Sequence, residues 1–143
     1  MEPFPHTYIA TASGQSKGPV IVESPQVTSI PSAAPPEFDG PGGMWSPETL
    51  LCASIADCFI LTFRAVSRAA RFEWLDLECR VEGVLERSGQ ASKFTRYTTF
   101  ARLKLSAGAD TNRARELLER AENSCLIANS LQGTRALQTD ITS

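Results

Sequence analysis

Two of the four cysteines stand apart by their surroundings. Cys58 follows Asp57 inside an otherwise apolar run, and Cys125 lies where one helical pattern ends and another begins. A thiol attacks as its thiolate, and backbone N–H groups at a helix junction favour that charged form. A free thiol is only slightly ionised at neutral pH, so a reactive one has to be activated. Asp57 would oppose activation if it faced the sulfur, because a nearby carboxylate raises a thiol pKa. Cys52, on an apolar helix, and Cys79, on the core face of a strand, read as small buried hydrophobes. From the residues alone, packing is the competing role for Cys58 and Cys125 as well. One histidine, His6, with scattered cysteines and no CxxC pair makes no zinc set, and neither metal nor cofactor is expected.

The element that must position Cys58 is the stretch Trp45 to Ala70. Ser46 can cap a helix, Pro47 suits its first position, and Glu48 places negative charge at the positive helix end. Leu50, Leu51, Ile55, Phe59, Ile60, Leu61, Phe63 and Val66 then make the rod apolar on every side, which calls for burial in a core or against a partner. Arg64, Arg68 and Arg71 complement the negative end. The spacing predicts one helix over 46–71. Glu48 and Cys58 are ten residues apart, about 15 Å along a straight helix. They meet only if the chain bends between them or if the glutamate serves a site assembled with another subunit. An apolar wall of Leu51, Ile55 and Phe59 beside the thiol would suit an organic substrate.

All nine prolines lie within the first 47 residues, so the chain has a punctuated front, 1–45, and a regular back. Thr7–Ala12, Val20–Glu23 and Val27–Ile30 are predicted strands, with a turn at Ser13–Gly18 and a loop over Ser32–Gly43. Tyr8, Phe38 and Trp45 are expected to pack as aromatics. Behind the helix, 75–105 reads as an antiparallel hairpin with one wet side. Leu75, Leu77, Cys79, Val81 and Leu85 share the apolar face of its first strand. Gly83, on that same face, marks a close approach by another element. Tyr97, Thr99, Ala101, Leu103 and Leu105 share the apolar face of the second strand, and the acidic and basic outer faces should pair across the hairpin. Over 110–143, Asp110 caps a helix with the stripe Ala114, Leu117, Leu118 and Ala121 and a Glu116/Arg120 pair. Cys125 and a short helical turn follow, then a strand through Leu137, Thr139 and Ile141. Strands and helices segregate, so the fold class is α+β, a single domain over 1–143.

The net charge of −2 and the lack of a basic tract exclude the usual nucleic-acid footprint. Residues 1–63 carry one basic and six acidic residues, a split that two copies can match across an interface. MEPFPHTY shows no secretory pattern, and the run Leu50–Phe63 is interrupted and short for a bilayer. The expected compartment is the cytoplasm, with no membrane partner and with the cysteines as thiols.

PPEFDGPGGMWSPETLL, then ADCF, then ENSCLIANSL after a hairpin and a helix, resemble the OsmC/Ohr family of thiol-dependent hydroperoxide reductases. The resemblance runs through nearly the whole chain in order. It implies sheets wrapped around a buried helix, and an intertwined homodimer with two sites at the subunit interface. It also implies a two-cysteine peroxidase acting on organic hydroperoxides. Cys58 matches the peroxidatic cysteine and Cys125 the resolving one, with electrons supplied by a dithiol such as a lipoylated protein. Glu48 matches the glutamate that pairs, in active members, with a front-segment arginine. This chain has no arginine before Arg64; the matching place falls near Ser16, beside Lys17, which supplies charge without the planar fork. The alternative on the same scaffold is a non-catalytic redox-responsive or apolar-ligand-binding protein.

Overall fold

In the computed structural model, which describes residues 1–143, two compact units divide the chain: Met1–Leu50 and Leu51–Ser143. The first unit is a small antiparallel sheet of three short strands, β1 (Thr11–Ser13), β2 (Val20–Glu23) and β3 (Ile30–Ser32), with β2 central. β2 lies where the sequence puts it, whereas β1 and β3 begin later than Thr7 and Val27. For β3 the reason is local. Gln26 takes a left-handed conformation (φ 66°) and Val27 N–H bonds the Ser24 carbonyl at 3.3 Å, so this segment turns before it can extend. Pro31 is tolerated because β3 is an edge strand. The following loop holds one 3₁₀ turn, Pro36–Phe38, and folds back so closely that a Cβ on Gly40 would overlap the Ala34 carbonyl.

Helix α1 (Pro47–Ala69) starts on a reciprocal cap. Ser46 Oγ accepts from Thr49 N–H at 3.1 Å, and Thr49 Oγ1 accepts from Ser46 N–H at 3.0 Å. The helix is unbroken, so no bend occurs between Glu48 and Cys58. Within this chain its burial is one-sided. Only Ile55, Phe59, Phe63 and Ser67 are buried, one stripe at helical spacing, while Leu61 is 52% exposed. Length and composition alone would also let α1 cross a membrane, a test that core helices pass too.

In the second unit the buried stripe of α1 and helix α2 (Thr111–Ser124) pack on a sheet of β4 (Asp76–Ser88), β5 (Ala91–Lys104) and β6 (Thr134–Thr142). β5 is central, antiparallel to β4 and parallel to β6. Tyr97, Thr99, Ala101, Leu103 and Leu105 are all buried, as alternation requires. On α2, Ala114, Leu117, Leu118 and Ala121 are buried, and Asp110 caps the helix by accepting from Arg113 N–H at 3.0 Å.

Gly83 meets the expected close approach: a Cβ there would stand 2.9 Å from the Phe94 ring and 3.0 Å from Cys52 Sγ on α1. Three details differ from the sequence reading. The register shifts between Val84 and Leu85, so Leu85 turns outward, and Leu75 lies before the strand and is also exposed. The outer faces do set Asp76 opposite Lys104 and Glu78 opposite Arg102, yet the ion pairs formed are Arg102–Asp140 at 3.6 Å and Arg80–Glu82 along one strand. Glu116 pairs with Arg113 at 3.0 Å rather than with Arg120. All three pairs are exposed, where each is worth about 0–1 kcal/mol, so flexible side chains choose among near-equal partners.

Candidate active site

The second unit brings Cys58 and Cys125 together. Cys58 lies midway along α1, on the edge of its buried stripe, and is half-buried. Cys125 is the fully buried residue that ends α2 and starts the short helix α3 (Leu126–Asn129). Both cysteines are free thiols. Around them one apolar cluster packs Ile55, Tyr97 and Ala128, flanked by Leu51, Val81, Phe94, Ile127 and Leu131. Phe59 is not part of this wall. It turns into the main core with Phe63, Leu103 and Leu117.

The polar surroundings of Cys58 decide its chemistry. Burial pushes the thiol up, but the backbone N–H of Ile127, the Cys125 thiol, the Thr62 hydroxyl and the backbone N–H of Leu126 outweigh it. The net direction is below the ordinary value of 9.0. Thr62 Oγ1 is 3.8 Å from Cys58 Sγ, one helical turn further along α1. Asp57 is exposed and is not among the groups that shift Cys58, which answers the doubt its position raised.

Cys125 moves the other way. Burial, with help from Cys58 and Glu122 and against the backbone N–H of Ala128, pushes it to about 11. Its single S–H has two acceptors, Cys58 and the Ile55 carbonyl at 4.0 Å. The carbonyl contact is long and neutral, so an ionised Cys58 takes the proton donor. The pair is thus one thiolate-forming sulfur beside one protonated sulfur. Cys79, half-buried on β4, is pushed to about 12 by burial, Glu122 and Cys125, and Cys52 is raised by burial; both keep their expected packing roles.

Arg135, on β6, gave no signal in the sequence. Its guanidinium bonds the Glu122 carboxylate at 3.1 Å, the Glu122 carbonyl and Asn129 Oδ1 at 2.6 Å. It thereby fastens the end of α2 to α3, the segment whose N–H groups face Cys58. Thr62 was within reach of a sequence reading, since i, i+4 spacing from Cys58 is legible.

Glu48 and Lys17 belong to the first unit. Glu48 Oε2 is buried without a hydrogen-bond partner. Lys17 is exposed on the turn between β1 and β2, in a shallow hollow with Ser13, Gln15 and Pro19. Tyr8 and Trp45 are exposed rather than packed, and Phe38 is half-exposed beside an apolar cavity.

The model of the OsmC-like protein family matches residues 40–140. The chain belongs to the OsmC-like family. It is 30% identical over 117 residues to the uncharacterized protein YmaD of Bacillus subtilis strain 168, covering 80% of this chain and 77% of that protein. Among solved structures, the organic hydroperoxide resistance protein OsmC of Legionella pneumophila superposes with a TM-score of 0.77 at 25% identity, covering 99% of this chain and 100% of that one. The organic hydroperoxide resistance protein OhrB of Bacillus subtilis superposes with a TM-score of 0.69 at 20% identity, covering 95% and 98%, a likeness of fold. The OsmC-like fold is therefore the fold of this chain, and its family is one associated with peroxide-related redox chemistry.

Proposed function

We propose that this OsmC-like protein is a thiol-dependent peroxidase that reduces organic hydroperoxides. The observation that carries the reading is the divided pair, Cys58 held below the ordinary thiol range and Cys125 held protonated beside it. The Cys58 thiolate attacks the outer oxygen of ROOH; the O–O bond breaks, RO⁻ leaves and takes a proton to become ROH, and Cys58 becomes a sulfenic acid. The Cys125 sulfur then attacks Cys58, its proton leaves with the hydroxyl as water, and a Cys58–Cys125 disulfide forms. A dithiol, such as a protein-bound lipoyl group, reduces the disulfide and is itself oxidised.

In this reading the whole chain, 1–143, acts as one cytoplasmic domain and works as a homodimer. A second copy covers the apolar face of α1 that the chain leaves open. Glu48 and Lys17 are the proposed carboxylate and cation of the assembled site. A second reading, slow stoichiometric oxidation without turnover, is favoured by the lack of any arginine before Arg64.

A free-thiol count by intact mass, before and after one equivalent of cumene hydroperoxide and then dihydrolipoamide, decides between them. Rapid loss of two thiols, recovered on reduction and repeated through many turnovers, supports the enzyme. Unchanged thiols remove it, and oxidation too slow for turnover leaves the redox-responsive reading.

A further inference from the structure

A hollow of about 390 Å³ opens within the second unit, where α1 ends. Its apolar lining is fixed in place. The Trp74 indole packs edge-to-face on buried Phe63, with ring centroids 5.3 Å apart, and its N–H donates to Ser67 Oγ at 2.9 Å. The one polar atom of that ring is therefore committed, and Trp74 offers hydrocarbon surface together with half-buried Phe72 and exposed Leu75. The charged lining is unbalanced. Arg64 and Arg68 stand one turn apart on α1, and neither takes part in any ion pair of the chain. Like charges at this spacing repel. Arg68 lies in the last turn of α1, where the negative helix end offsets its charge, but Arg64 precedes that turn and the effect does not reach it. Glu73 is the one acidic residue of the lining, and it pairs with neither arginine. Two guanidiniums against one carboxylate leave the hollow with positive charge in surplus.

We infer that this hollow binds a small aromatic monocarboxylate, its carboxylate bridging Arg64 and Arg68 and its ring lying against Trp74 and Phe72. A guanidinium matches a carboxylate with two parallel N–H···O bonds, and one anion between two arginines relieves their repulsion. An apolar body is called for because the indole N–H has no hydrogen bond left to give. A cationic ligand of the same shape meets like charge and is refused. The inference does not rest on thiol chemistry and holds whether or not Cys58 turns over peroxide.

The test is a titration of the reduced full-length protein at pH 7 with phenylacetate, phenethyl alcohol and phenethylamine. Binding is followed by calorimetry and by fluorescence in a Trp45→Phe background, where Trp74 is the one indole left. Phenylacetate should bind saturably, change the Trp74 emission and weaken as sodium chloride is raised. Phenethyl alcohol should bind about ten-fold more weakly, a charge-assisted hydrogen bond being stronger than a neutral one, and phenethylamine should not bind. Arg64→Gln and Arg68→Gln alter exposed side chains, so the fold should survive them, and together they should bring phenylacetate down to the level of the alcohol. Glu73→Gln, which removes the opposing charge, should tighten phenylacetate. Absence of saturable phenylacetate binding, as when a second copy of the chain fills the hollow, overturns the inference. Equal binding by acid and amine, or undiminished binding in the folded double variant, overturns it as well.

Discussion

The thiol of Cys58 faces the backbone N–H of Ile127, so a sulfur on α1 is served by the first turn of α3, nearly seventy residues further along the chain. α3 has four residues, too few to sum a macrodipole, so the effect on the sulfur is that of local N–H groups. A thiolate held by oriented donors is more acidic than a buried thiol should be.

The alkylation rate of Cys58 with iodoacetamide should therefore rise with pH through a midpoint below 9.0, while Cys125 and Cys79 stay unreactive until far more alkaline conditions. Cys125→Ala removes a donor to the thiolate and should raise the midpoint. Thr62→Val should raise it less, because its contact is long at 3.8 Å. Peptide-resolved mass spectrometry across a pH series reads all three.

Stability should fall in alkali. Cys79 and Cys125 hold their protons in the folded chain to about 12 and about 11, against 9.0 for an ordinary thiol. Above pH 9 the unfolded chain releases these protons and the folded chain does not, so ν_U is smaller than ν_N and the unfolding free energy drops as pH rises. The contribution is whole below about pH 9 and is lost between there and about 12. Urea midpoints at pH 8 and pH 10.5 should differ, and Cys79→Ala should narrow the gap.

Much of this architecture was legible because local pattern and tertiary burial agree. The α2 stripe Ala114, Leu117, Leu118 and Ala121, the β5 face from Tyr97 to Leu105 and the Ser46 cap each follow from spacing of a few residues. The pairing of Cys58 with Cys125 came from resemblance, since no spacing joins them. What escaped depends on register or on distant partners. The shift between Val84 and Leu85 is set by how β4 meets β5, and Leu85 cannot signal it alone. For α1 the pattern left open what covers it, because an all-round apolar helix does not say whether its own chain or another does so.

Gly83→Ala tests the approach of α1 to the sheet. The added Cβ would lie 2.9 Å from the Phe94 ring and 3.0 Å from Cys52 Sγ, so ring or helix must move. Overpacking of this kind costs about 1–3 kcal/mol. A thermal scan should show the loss, and Phe94→Leu in the same chain should restore part of it. A Gly83→Ala variant as stable as the parent would mean that the approach is loose.

Arg135 is expected to act on Cys58 without touching it. Its bonds to Glu122 and Asn129 fix α3 to the end of α2, and both partners of the ion pair are mostly buried, with side chains 25% and 12% exposed. Removing the guanidinium leaves the Glu122 carboxylate short of its partner and frees α3 to turn its N–H groups away from the sulfur. Arg135→Ala should cost about 1–3 kcal/mol in a urea titration, the range for orphaning a shielded polar group. A merely structural role would end there. If Arg135 positions α3, the variant should also raise the alkylation midpoint of Cys58 and slow alkylation at pH 7 under conditions where it remains folded. Arg135→Lys, with a single point charge in place of the fork, should fall between the two. Arg102→Ala, which breaks an exposed pair with Asp140 on the outer face of the sheet, is the control and should leave both the stability and the Cys58 midpoint nearly unchanged.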